Sequence, residues 1–176
     1  MTFCNLLTAP GRADEIPESA DVYGWLIGSW ELDVLHYAGA EVSLKGEVHF
    51  AWVLEGRAVQ DVWIMPRNRE RGRVGDPSYF GKNMYGTTLR VWDAAIAAWR
   101  IIWVNPVSMH REEQIGRWSG KDIMQLGTRS DGTPTRWSYT EITSDSFHWL
   151  GEALQKDGKT WKLEGEFRGQ RMAYAK

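Results

Sequence analysis

About ten runs of alternating apolar and polar residues, each roughly 7–10 residues long, follow one another after Gly28 with only short turns between them. Trp30, Leu32, Val34 and His36 alternate with Glu31, Asp33, Leu35 and Tyr37. Val48, Phe50, Trp52 and Leu54 alternate with Glu47, His49, Ala51 and Val53. A side-chain period of two belongs to a β-strand. Further strands are expected over 58–65, 84–93, 98–105, 110–118, 121–128, 134–143, 146–154 and 160–169. Asp131-Gly132 and Asp157-Gly158 are hairpin signals, because glycine tolerates a positive φ. Pro66 ends the 58–65 strand, since proline cannot donate to the ladder.

Short connections force antiparallel neighbours. Many such strands in a row leave exposed edges unless the sheet closes on itself. The expected fold is therefore all-β, a closed antiparallel up-and-down β-barrel of about ten strands. A two-sheet sandwich is the rival, but it usually needs longer crossovers. Ahead of the strands, Ala20, Val22, Tyr23, Leu26 and Ile27 recur at helical spacing, with Ser19 to cap and Gly28 to stop. A short N-terminal helix is expected over 18–27. Residues 1–17 read as an arm and 18–176 as a single barrel domain.

Composition narrows the function classes. A net charge of -2 creates no strong field for nucleic acid or an anionic membrane. No run approaches ~18 apolar residues, so no membrane span is expected. The single cysteine, Cys4, has no internal disulfide partner, and the N-terminus lacks the pattern of a signal peptide; both favour a reduced, cytoplasmic setting. Eleven tryptophans are the unusual feature. Large aromatics supply either a heavily packed core or the walls of a cavity.

Gly28-Ser29-Trp30 opens the first strand and resembles the Gly-x-Trp signature of lipocalins and other calycins. That resemblance implies a Trp30 that closes the barrel base under an arginine from the end of the barrel, Arg168 or Arg171, with Arg168 the first choice. The runs Gly86-Thr87-Thr88-Leu89-Arg90-Val91-Trp92-Asp93, Trp99-Arg100-Ile101-Ile102-Trp103-Val104-Asn105, Asp145-Ser146-Phe147-His148-Trp149 and Asp157-Gly158-Lys159-Thr160-Trp161 resemble a bacterial family described as the DUF1579-like, lipocalin-like group. The resemblance implies a calycin barrel and no particular reaction, substrate or catalytic residue.

The candidate ligand-binding residues are Trp52, Asp61, Trp63, Arg90, Trp103, Tyr139 and His148. Alternation sends part of the Trp set inward, where it would wall a pocket for an apolar or planar ligand. Asp61 and Arg90 interrupt apolar runs, and a buried charge needs a partner: if either faces the cavity, a salt bridge or an acidic ligand follows. His36 shares a face with Trp30, Leu32 and Val34 and is expected to point inward. His148 lines the cavity if Phe147 and Trp149 point outward. The arginine-rich loop 67–83 offers an anion guide or a gate at the barrel mouth, or a solvated surface with Glu70 and Asp76 as local partners. The four histidines have no metal-ligand spacing, and nucleophile-elbow, phosphate-loop and dinucleotide motifs are lacking, so no metal and no cofactor is expected.

Three functions follow as expectations. The first is binding of a small hydrophobic or amphipathic molecule inside the barrel. The second is a barrel enzyme (hydrolase, isomerase or lyase) with a dispersed His/Asp/Arg site. The third is a homodimeric interaction module with a filled barrel.

Overall fold

The computed structural model describes residues 2–71 and 83–173. The chain begins with a short helix α1 (Phe3–Leu7) and a two-residue strand β1 (Thr8–Ala9). Two 3-10 turns, Glu18–Ala20 and Gly24–Leu26, precede the barrel. Ten strands follow: β2 (Gly28–Tyr37), β3 (Ala40–Val53), β4 (Ala58–Met65), β5 (Met84–Asp93), β6 (Ala98–Asn105), β7 (His110–Ser119), β8 (Asp122–Arg129), β9 (Pro134–Thr140), β10 (Ser146–Leu154) and β11 (Trp161–Arg171). Each pairs antiparallel with its sequence neighbour, and β11 returns to pair with β2, so the sheet is a closed up-and-down barrel. The turns at Gly132 and Gly158 have φ of 86° and 68°, the conformation their Asp-Gly pairs favour.

The short helix lies at Phe3–Leu7 rather than over 18–27. In the second segment the apolar residues Ala20, Val22, Tyr23 and Leu26 are buried, but the backbone makes two separate 3-10 turns. Asp21 Oδ1 accepts from the Gly24 N–H at 2.7 Å, a local turn that competes with a continuing helix. The segment folds as a plug under the barrel. Trp99 Nε1 donates to the Ala20 carbonyl (2.8 Å), Trp25 Nε1 to Val22 (2.9 Å) and Trp30 Nε1 to Leu26 (2.7 Å). Before it, β1 pairs Thr8 with Val53 and Ala9 with Trp52, beyond the start of β2.

Inside, the side chains form three tiers. The lowest, against the plug, holds Trp25, Trp30, Trp52, Trp92, Trp99 and Phe147 in edge-on and tilted contacts with centroids 5.0–6.3 Å apart. Such rings account for much of the buried apolar area. A belt of polar residues follows. The upper tier, towards the opposite end, is aromatic again. A ten-stranded barrel is wider than an eight-stranded one, so its interior is harder to fill with side chains alone.

Three register shifts matter. Between Val34 and His36 the ladder of β2 slips by one residue, which reverses the faces beyond it. Tyr37 then faces the interior beside Gly165, while His36 pairs in register with Glu166 on the outer face. The expected inward His36 is thus corrected by a bulge at Leu35. The Glu166/Phe167 slip is the same Leu35 bulge met from β11, while the Gly151/Glu152 slip leaves an extra residue, Glu164, on β11.

Candidate functional site

Above the polar belt lies a cavity of about 590 Å³. Among the described residues its walls are Trp63 (β4), Met84 (β5), Trp103 (β6), Trp137 (β9), Trp149 (β10) and Phe167 (β11). The aromatic rings touch in series: Trp103–Trp137 6.2 Å, Trp137–Trp149 5.4 Å, Trp149–Phe167 5.0 Å and Phe167–Trp63 5.4 Å. Glycines make room for them. A methyl group at Gly86 would overlap the Trp103 ring, and one at Gly151 would come within 2.5 Å of Trp149. Gly151 and Gly165 are also register partners, which leaves a bare strip of wall under the Trp149 ring.

The floor is the polar belt. Arg90 and Asp61 form an ion pair at 2.6 Å, with both side chains at most 1% exposed. Asp61 Oδ1 also accepts from the Thr88 N–H at 2.7 Å. Arg90 donates to the Tyr139 hydroxyl at 3.3 Å, and its guanidinium lies 5.0 Å from the Tyr23 ring centroid. Burial alone would lower the Arg90 guanidinium, but the charge and hydrogen bond of Asp61 together with the neighbouring Tyr139 and Tyr23 outweigh it and raise the group above its ordinary value. Burial pushes the phenols of Tyr23 and Tyr139 up, so both keep their protons at neutral pH.

A chain of side chains runs from this floor to the rim. Tyr23 donates to Gln125 (3.0 Å), Gln125 to Gln114 (3.0 Å) and Gln114 to Glu112 (2.8 Å). Glu112 also accepts from Thr135 and meets His110 Nε2 at 3.1 Å. Burial would raise its carboxyl. Hydrogen bonds from His110, Thr135 and Gln114 and the charge of Arg129 outweigh that and hold it below its ordinary value. Arg129 is bonded to Glu164, and its Nε lies 3.6 Å from Glu112. Glu164 reaches the rim because it is the extra residue opposite the Gly151/Glu152 slip, and a bulge re-aims a side chain.

The candidate residues divide cleanly. Trp63, Arg90, Trp103 and Tyr139 line the cavity. Asp61 sits behind Arg90 as its counter-ion. Trp52 belongs to the lowest tier, 6.3 Å from Trp99, away from the cavity. His148 lies on the outer face, with Glu166 at 2.8 Å and Glu141 at 3.6 Å, because Phe147 and Trp149 are the inward residues of β10. At the base, the guanidinium over Trp30 is that of Arg171, 4.1 Å from the ring centroid. Arg171 also donates to the carbonyls of Trp25, Ile27 and Ser144. Arg168 instead bonds Glu141 on the surface. Phe167, Gly169 and Arg171 share the inward face and Arg168 the outer one, which corrects the choice of Arg168.

Sequence reasoning passed over His110, Glu112, Arg129 and Glu164 at the rim, and Met84 and Phe167 in the wall. Glycines inside the strand patterns, at 86, 151 and 165, are the signal that marks this side of the barrel. Of the arginine-rich loop, residues 72–82 lie outside the described residues. Arg67 bonds Glu31 and Glu70, and Arg71 donates to the carbonyls of Met65 and Met84. Among the described residues, no three His, Cys, Asp or Glu side chains group in a way that would hold a metal ion.

A search of protein-family models finds no match for this chain. A search of curated proteins finds none either.

Proposed function

We propose that this protein binds one small apolar or amphipathic molecule in the upper half of the barrel. The observation that carries the reading is the cavity of about 590 Å³ walled by four tryptophans and Phe167. Its size lies within the range of small-molecule sites, roughly 300–1,000 Å³, and its wall is aromatic between a polar floor at Arg90 and Tyr139 and a charged rim. The resemblance to the DUF1579-like, lipocalin-like group belongs with this proposal: its quoted runs fall on β5, on β6, on β10 and at the start of β11.

The test is titration with a neutral naphthalene-based fluorophore, read by energy transfer from tryptophan. Saturable binding at one molecule per chain is expected, weakened in Trp103→Ala and Trp149→Ala and retained in Trp118→Ala, whose ring lies outside the cavity. Absence of saturable binding to a panel of neutral aromatic and aliphatic probes overturns the reading.

One observation favours a second reading, an acid–base enzyme acting on such a molecule. His110 lines the cavity and meets the buried carboxylate of Glu112, the pairing that orients an imidazole for proton transfer. This reading requires a turnover that is lost in His110→Asn while binding persists. Binding without turnover by any substrate of the class that binds removes it.

A further inference from the structure

We propose that the cavity selects an uncharged ligand whose polar end is a hydrogen-bond acceptor, such as a ketone, ester or amide carbonyl, and disfavours the carboxylate of the same skeleton. The inference rests on the binding reading above and names the chemistry of the ligand's polar end.

The first support is hydrogen-bonding capacity. At the floor and inner rim the carboxylates are already engaged, while Asp131 is exposed at the mouth. Asp61 takes the Thr88 N–H on one oxygen and Arg90 on the other. Glu112 takes Gln114 and Thr135 on one oxygen and His110 on the other. Glu164 is bonded on both oxygens by Arg129. The spare capacity lies with donors. Arg90 lines the cavity at 1% exposure, and its Nε has no partner among the described residues. The indole N–H groups of Trp63, Trp103, Trp137 and Trp149, all in the wall, likewise have no hydrogen-bond partner among the described residues. Of these donors only the Arg90 Nε is itself buried; the indole N–H groups are accessible from the cavity, where a ligand that presents an acceptor can pair with them and one without an acceptor would cover them unpaired, which is costly.

The second support is charge. Among the described residues the lining contains four cations, Arg90, Arg111, Arg129 and Lys162, and two anions, Asp131 and Glu164. Three further anions are ion-paired with lining residues: Asp61 with Arg90, Glu112 with His110 and Glu113 with Arg111. Four cations thus meet five anions. At the floor Arg90 has its counter-ion within 2.6 Å. A carboxylate buried here would add an uncompensated negative charge and lose its hydration. A carbonyl adds an acceptor and no charge.

The experiment uses the full chain and three probes that share one ring system: naphthalene, 2-acetylnaphthalene and 2-naphthoate. Each is titrated at pH 8 and followed by tryptophan fluorescence and calorimetry. The ketone is expected to bind about tenfold more tightly than the hydrocarbon, the order of one net hydrogen bond, and at least about tenfold more tightly than the carboxylate, which must bury a charge. In the double variant Arg90→Met/Asp61→Leu, which leaves no orphan charge, the ketone is expected to lose its advantage over naphthalene. In Asp61→Asn the unbalanced Arg90 is expected to shift preference towards the carboxylate. The wild-type series decides even if neither variant folds. A carboxylate bound as tightly as the ketone overturns the inference and leaves the binding reading standing, as does a ketone no better than naphthalene. No saturable binding of any of the three overturns both.

Discussion

The two ends of the barrel interior are built from the same residue type and differ in how its polar edge is treated. At the plugged end the indoles of Trp25, Trp30 and Trp99 each donate to a carbonyl of the N-terminal segment, and Arg171 covers the face of Trp30. At the other end Trp63, Trp103, Trp137 and Trp149 surround a cavity of about 590 Å³ and have no such partner among the described residues. Between them the belt of Asp61, Arg90, Tyr139 and Gln125 separates the filled half from the hollow one. An aromatic cluster is therefore core or site according to what meets its N–H groups and rims, and the count of tryptophans does not distinguish them.

Four substitutions test that contrast. The largest effect is expected at the belt. Asp61→Leu alone leaves Arg90 buried and unpaired, at a cost of about 3–5 kcal/mol, measured by urea unfolding. Adding Arg90→Met should restore much of the loss; a double variant as unstable as the sum of the singles would break the picture of one coupled pair. Next, Trp99→Ala at the plugged end is expected to cost about 3–5 kcal/mol, and Trp149→Ala about 1–2, because its ring already borders empty space into which the site relaxes. Equal losses would mean that the upper tier is ordinary core.

A smaller effect concerns pH. The Glu112 carboxyl is held below its ordinary value in the fold, so the stability it contributes is present above the ordinary carboxylate range and is lost as pH falls through the depressed value. Wild type is expected to exceed Glu112→Gln by about 1–2 kcal/mol at neutral pH, with the gap closing on acidification; a gap that is constant with pH would show that the carboxylate charge is not what matters. The smallest effect separates two arginines. Arg171→Ala should cost about 1–2 kcal/mol, since it removes a cation–π contact and three hydrogen bonds to carbonyls. Arg168→Ala should cost less than about 0.5 kcal/mol, as a surface ion pair does. Thermal denaturation of the two variants side by side checks this.

The closed barrel was legible because a period of two recurs with turn signals at Asp131-Gly132 and Asp157-Gly158, and little else satisfies such a pattern. The site was legible only in part. Alternation separates two faces without saying which is inside. On β10 either Phe147 and Trp149 or His148 is chemically plausible inward, so His148 was misplaced. One slipped residue near Leu35 was enough to turn His36 outward, and no single-sequence pattern announces a bulge. The first half of β3, from Ala40 to Gly46, also escaped notice: it carries Glu41, Ser43 and Lys45, and its Val42 and Leu44 are few beside the aromatic strands. Apolar residues at 20, 22, 23 and 26 imitate a helix because a plug that is covered on several sides needs no single face. The cavity itself is set by glycines whose importance lies in what rests on them, and that is a property of pairs of strands.

The closure of the ring has a consequence in time. The seam joins β2 to β11, where Trp30 is the register partner of Arg171, and these residues are separated by nearly the whole barrel sequence. During synthesis, β2 emerges from the ribosome early and waits with one edge unpaired until the last strand is released. Until then the growing sheet carries exposed edges and an uncovered indole at Trp30, which is the state most open to mispairing with a second nascent chain. A ribosome-stalled chain that ends before Gly165 should therefore remain protease-sensitive even though nine of the ten barrel strands are present.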